Sequence, residues 1–338
     1  MLEKLIKSAI ISSRILKIYD ENLDRLVRPT LNLFIRKPFG FGFSTMADEL
    51  AKLGLANNIT EFTVPGIVGS VRGGRLYEGQ LCYSGYKLTV FDEVMALDQK
   101  SKKTINQLTE YGKVTRTIQG FVERRFERDV VGGKYIVDKG LLELQIHTSC
   151  LFGTASDTVF QDPDIKMLLS RCFCLNLVMD KEEAIKLKKF GRDLRIDLKR
   201  IPEEPVDMVK LPADINELLL EALSGETLVP DTDGGYFTRC HDDLIRLSAV
   251  HCVARKDTEI NEKDVKFALQ FFRLHQVGYL GSQLSESALK VLEQCTGKTI
   301  GEIAKAVNLS ERQVRRHLND LMKLNLISKV ENRYFKII

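Results

Sequence analysis

The chain has 338 residues, 44% of them apolar and 28% charged, and a formal net charge of +4. No apolar run approaches the ~20 residues that span a bilayer, so no membrane association is expected. The seven cysteines, at 82, 150, 172, 174, 240, 252 and 295, show neither zinc spacing nor a paired framework, which points to a reducing, cytoplasmic compartment.

The location of the charge matters more than its size. Ten of the fifty Lys/Arg and six of the forty-six Asp/Glu lie from Ser285 onward, so that segment holds the whole positive excess. An anionic partner there is one reading, and a few solvated lysines are the other.

In chain order, "MLEKLIKSAIISSRILKIYDENLDRL" reads as an amphipathic helix and not as a signal peptide. "LNLFI" (31–35), "ITEFTV" (59–64), "KLTVFDE" (87–93), "LLELQIHTSCLF" (141–152) and "CFCLNLVM" (172–179) are predicted strands. Helical patterns separate them, which predicts an α/β fold with a mostly parallel sheet covered on both faces. "DLKRIPEEPVDMVKLP" (197–212) has three of the eight prolines and reads as a linker. The helices beyond it form an all-helical unit, with Asn261 as an N-cap and Asp264 three residues on. "SESALKVLEQC", "TIGEIAKAVN" and "SERQVRRHLNDLMKLN" are three short helices, and "LISKVENRYFKII" is a hairpin. That order describes a winged helix.

Two stretches suggest phosphate chemistry. "RKPFGFGFSTMADEL" (36–50) has Gly40 and Gly42 ahead of Ser44 and Thr45, like a P-loop, but Phe43 stands where the loop needs Lys. "KLTVFDEV" ends an apolar run in Asp92 and Glu93, types that hold Mg²⁺ and activate water in an ATPase. The plain alternative is a strand that simply ends in acidic residues. Basic residues mark possible DNA contacts: Arg72 and Arg75 around a Gly-Gly turn, and the last helix and hairpin. In that helix Val314, Leu318 and Leu321 form a core stripe, leaving Arg312, Gln313, Arg315 and Arg316 outward. Lys329 and Arg333 lie on the wing.

The ordered set resembles the AAA+ ATPases, specifically the minichromosome maintenance (MCM) helicase family. "GIVGSVRGGRLYEGQLCYSGYKLTVFDEVMAL" (66–97) is similar to its insert hairpin and Walker B strand, and "LLSRCFCL" to its arginine-finger stretch. Lys113 and Arg116 lie where the family's second channel hairpin would be, which implies DNA contact there. The resemblance implies a degenerate P-loop AAA+ core over 1–200, a helical lid over 201–282 and a winged-helix domain over 283–338. It implies ATP and Mg as cofactors, bound weakly or not at all. Gly40, Gly42, Phe43, Ser44 and Thr45 would form the loop. Ser44 and Asp92 would meet the metal, and Lys37 would offer a charge from the other side of the turn. Glu93 would be the base, Ser156 sensor 1, Arg171 the finger and Arg239 sensor 2. The finger implies a homo-oligomer, or a hetero-assembly with a competent AAA+ relative. The resemblance also implies a nucleoid-associated protein that binds DNA as a non-hydrolysing scaffold or accessory factor in replication. Whether it is an enzyme stays open. The alternatives are an active ATP-dependent DNA helicase and a winged-helix transcription regulator.

Overall fold

Residues 2–37, 42–72, 75–118, 125–155, 162–176, 201–225, 234–281, 284–323 and 326–336 are described by a computed structural model. Its first elements are α1 (Leu2–Ser12), β1 (Ile15–Asp20), β2 (Arg25–Val27), β3 (Leu33–Arg36), α2 (Phe43–Lys52) and β4 (Ala56–Asn58). Next come α3 (Val64–Val68), β5 (Gly69–Arg72), β6 (Arg75–Glu78), β7 (Leu88–Phe91), α4 (Gln99–Tyr111) and β8 (Lys113–Thr117). They lead to β9 (Phe126–Val130), β10 (Gly133–Asp138), β11 (Leu141–Ile146), β12 (Ser149–Thr154), α5 (Pro163–Leu169) and β13 (Phe173–Asn176). Then follow β14 (Val206–Leu211), α6 (Ala213–Gly225), α7 (Gly234–Ala254), α8 (Glu262–Leu269) and α9 (Phe272–Gly281). The last are α10 (Glu286–Gln294), β15 (Thr296–Lys298), α11 (Ile300–Val307), α12 (Glu311–Lys323), β16 (Ile327–Val330) and β17 (Arg333–Lys336).

A mixed α/β body surrounds one five-stranded sheet, ordered β13-β3-β12-β7-β4, in which every pairing is parallel. Side chains alternate between its faces. Leu33, Ile35, Val90 and Leu151 enter one core with Ile6 and Ile10 of α1 and Leu244 of α7. Phe34, Phe91 and Phe152 enter the other with Ile105 of α4 and Ile165 of α5. Phe91 and Phe152 stack with centroids 5.1 Å apart. Burial on both faces is what allows near-continuous apolar strands to stay in a parallel sheet.

The helix read over residues 1–26 stops at Ser12 and gives way to β1 and β2. Three further expectations are corrected. The run 141–152 is not one strand. It turns at His147 and Thr148, so β11 joins an antiparallel sheet ordered β8-β11-β10-β9 while β12 joins the parallel one. The turn is satisfied locally: His147 N–H donates to Gly132 O at 2.8 Å and the Thr148 hydroxyl to Lys87 O at 2.7 Å. The stretch 59–64 is not a strand either. Thr63 caps α3, its side chain accepting from Gly66 N–H at 3.3 Å, and the strand lies earlier, at β4. Third, the linker expected over 197–212 contains β14, which pairs in parallel with β1. Pro205 and Pro212 flank that strand instead of interrupting it, so no ladder donor is lost.

Helices α6 to α9 follow. Asn261 and Asp264 form a capping box at α8, and the buried Asp264 carboxylate also pairs with Arg255 at 2.7 Å. The last segment packs α10, α11 and α12 with a sheet ordered β15-β17-β16, a winged-helix arrangement. Among the described residues no helix is long and apolar enough to cross a membrane.

Burial lowers the His147 pKa to about 4, with the nearby Arg28 charge adding to the effect. Its Nε2 has no hydrogen-bond partner among the described residues. The unfolded pKa is about 6.5, so the contribution to stability is present above that value and is lost as pH falls toward the folded one. Between pH 7 and 4.5, urea unfolding of the parent is expected to lose about 2 kcal/mol more than that of His147→Gln. Equal losses would place the imidazole in water.

Candidate functional site

Parallel pairing brings the carboxyl ends of β3, β7 and β12 to one edge of the sheet, where ligands of open α/β sheets bind. Lys37 follows β3, Asp92 and Glu93 follow β7, and Thr154 ends β12. Gly42 precedes α2 with φ 81° and ψ 21°, a left-handed conformation that favours glycine. No side chain caps the start of α2, so its first N–H groups lack that partner.

Four side chains meet at this edge. Lys37 Nζ lies 2.8 Å from Asp92 Oδ1, and the Ser44 hydroxyl donates to Asp92 Oδ2. Lys37 is 12% exposed and Asp92 40%, so the carboxylate opens to solvent while the lysine stem is covered. Glu93 is held beside them: it accepts from the Thr154 hydroxyl at 2.6 Å and from Ala155 N–H at 3.1 Å. Thr154 was not singled out from the sequence, although a polar residue ending the buried run "CLFGT" was a usable signal. Thr45 is exposed on α2. Gly40 and Ser156 lie outside the described residues.

Phe43, standing where a P-loop needs Lys, turns into the core. It is 2% exposed and belongs to the core with Met46, Ala47 and Leu50. Those four positions, spaced i, i+3, i+4 and i+7, are the apolar stripe of α2, and the stripe faces the sheet. Lys37 lies over the ring, its Nζ 4.7 Å from the centroid. Gly153 closes the packing, since a Cβ there would come within 2.9 Å of Lys37 Cε and 3.0 Å of the ring.

The donor set fits a magnesium–phosphate group. Hydroxyl and carboxylate oxygens side by side suit Mg²⁺, which takes few protein ligands and fills its shell with water and phosphate. An ammonium and an uncapped helix start suit the phosphates. Among the described residues no cluster of three His, Cys, Asp or Glu could hold a metal by itself.

Arg171 and Arg239 lie at the other edge. Both line a cleft of about 320 Å³ beside Asn32, which precedes β3. Arg171 donates to Asn106 Oδ1 at 2.9 Å and pairs with Glu110. Arg28, also in the cleft, donates to Leu108 O and Thr109 O, and burial lowers its pKa to about 10. Arg239 is exposed.

The hairpin residues divide in role. Arg72 and Arg75 stand opposite each other at the end of β5-β6, and Arg75 is exposed. Lys113 pairs with Glu143 at 3.5 Å. Arg116 donates to Gly69 O at 3.1 Å, and desolvation lowers its pKa, with Tyr135 opposing. It ties β8 to the β5-β6 hairpin.

On α12, Val314, Leu318 and Leu321 are fully buried, while Arg312, Arg315 and Arg316 are exposed. Gln313 differs from the others. Its carbonyl accepts from the Ser310 hydroxyl at 2.8 Å and from Ser310 N–H at 3.1 Å, while Ser310 Oγ accepts from Gln313 N–H, a capping box. Arg333 donates to Gly297 O at 2.6 Å and fixes the wing to β15. Lys329 is exposed, with Nζ 5.8 Å from the Tyr334 ring centroid.

Residues 288–329, from α10 into β16, match the helix-turn-helix family described as bacterial regulatory protein, arsR family. No curated protein matches the chain.

Phe43→Ala is expected to lower the unfolding free energy by about 3–5 kcal/mol. Phe43→Lys should cost at least as much, because it places an ammonium in an apolar core. Urea unfolding checks this. A Phe43→Lys chain as stable as the parent would mean that the ring is not part of the core.

Proposed function

We propose that the protein binds duplex DNA through its winged helix and acts as a regulator on it. The observation that supports this most directly is the exposed face of α12. Arg312, Arg315 and Arg316 have no ion-pair partner among the described residues, and they lie opposite a fully buried apolar stripe. The family match over the same helices supports the same reading. A helix of this kind enters the major groove. Its guanidiniums contact phosphates and the O6/N7 edge of guanine, and Lys329 and Arg333 of the wing meet the flanking backbone.

A second reading concerns the body, and one observation favours it: the Lys37–Asp92–Ser44 cluster at the sheet's carboxyl edge. In this reading the body is a degenerate AAA+ module of the MCM type that binds ATP and Mg. Arg171 and Arg239, at the opposite edge, would act on such a site only across a subunit boundary. The DNA-bound protein would then be an oligomeric scaffold or accessory factor in replication, or an active translocase if Glu93 works as a base.

The triple variant Arg312→Ala, Arg315→Ala, Arg316→Ala is expected to bind a labelled duplex at least roughly 30-fold more weakly at about 0.1 M salt. Its slope of log affinity against log salt should be shallower by about 2 to 3. Unchanged affinity and slope would remove the winged helix from DNA contact. Competition between duplexes of different sequence separates the roles: strong discrimination favours a regulator, and indifference to sequence favours a scaffold.

A further inference from the structure

We propose that Lys37 is the phosphate-binding lysine of the edge site, delivered from the end of β3 instead of from position 43, with a magnesium-bound di- or triphosphate as its ligand. The proposal rests on the reading of the body as a nucleotide-binding module.

The packing carries the argument. The position that should send a lysine toward phosphate instead faces the core as Phe43, in phase with Met46, Ala47 and Leu50. The space above the ring holds the Lys37 stem, with Cε close against Gly153. The charge that the P-loop pattern carries at position 43 stands instead at position 37, where that pattern has its first glycine. Residue 37 is mostly covered, yet its ammonium ends at a carboxylate that is 40% exposed. Covering a lysine stem so that its head arrives at one chosen acceptor is how amphipathic side chains are positioned.

The neighbours of that ammonium are what a phosphate site requires. Asp92 accepts from Lys37 through one oxygen and from Ser44 through the other. Ser44 lies in the first turn of the uncapped α2. Asp92 therefore fixes both partners before any ligand arrives. With Asp92 engaged by magnesium, Lys37 has a phosphate oxygen as its alternative acceptor at the same place. An ordinary ion pair with a partner this exposed contributes little and would need neither the sheltered stem nor the adjacent helix start.

The test uses calorimetric titration of the full-length chain with ATP·Mg²⁺ and, separately, with magnesium tripolyphosphate. Lys37→Met keeps the stem and removes the charge. Lys37→Arg restores a cation. Lys52→Ala removes a lysine from the far end of α2. Thermal melts of each confirm folding. The parent and Lys52→Ala are expected to bind alike. Lys37→Met should bind at least about 10-fold more weakly, the loss of one charge-assisted hydrogen bond, with both ligands. Lys37→Arg should recover part of that loss. If the parent binds and folded Lys37→Met binds equally well, Lys37 is not the phosphate ligand, and the nucleotide reading survives without it. If the folded parent binds neither ligand, the nucleotide reading and this proposal fall together.

Discussion

The parallel pairing of β12 between β3 and β7 is the constraint on which the body depends. All six residues of β12 are buried, and the strand divides the two cores, Leu151 facing one and Phe152 the other. Its register sets Thr154 against Arg36 and Phe152 against Phe91. Those two pairings bring the ends of three strands level, so that Lys37, Asp92, Glu93 and Thr154 lie within hydrogen-bonding reach of one another in pairs. A one-residue slip would reverse every side chain of β12 and break both cores. The cost of such a slip is what fixes the site's geometry.

Several of the polar groups that this packing buries are matched inside. Ser12 and Ser149 share a hydrogen bond at 2.8 Å, and Thr89 and Thr148 share one at 2.7 Å. The Asn32 side chain accepts from Cys150 N–H at 2.9 Å, at the edge opposite the phosphate-like cluster. Each pair joins segments distant in sequence, so the sheet's two edges are secured by different contacts. Changes at one edge then need not disturb the other.

Much of this was legible before the structure. Asp92 and Glu93 were visible because an acidic pair ends an apolar run, and the winged helix because α12 has a clean apolar stripe. The direction of Phe43 was missed by reading the Gly-rich stretch as a loop, although the spacing of Phe43, Met46, Ala47 and Leu50 already set the helix phase. The turn at His147 was hidden because one unbroken apolar alternation serves two sheets. The strand β14 was masked by prolines that only flank it. Gln313 was grouped with the outward basic residues, although Ser310 three residues before it makes the Ser-x-x-Gln capping-box signature. Arg116 similarly looked free for DNA, and its use as a tie to Gly69 depends on a contact forty-seven residues away. Local patterns mark element type and phase, whereas long-range partners decide which polar side chains remain available.

The exposed guanidiniums of α12 also give the molecule an electrical orientation. Residues before Ser285 contain equal numbers of basic and acidic side chains, and the entire excess of +4 lies beyond it. Such a chain is a macroscopic dipole with its positive pole at the winged helix. Near a polyanion it experiences a torque as well as an attraction, and the torque acts over about the Debye length, ~8 Å at physiological ionic strength. A charge so placed turns the winged helix toward such a polyanion before contact.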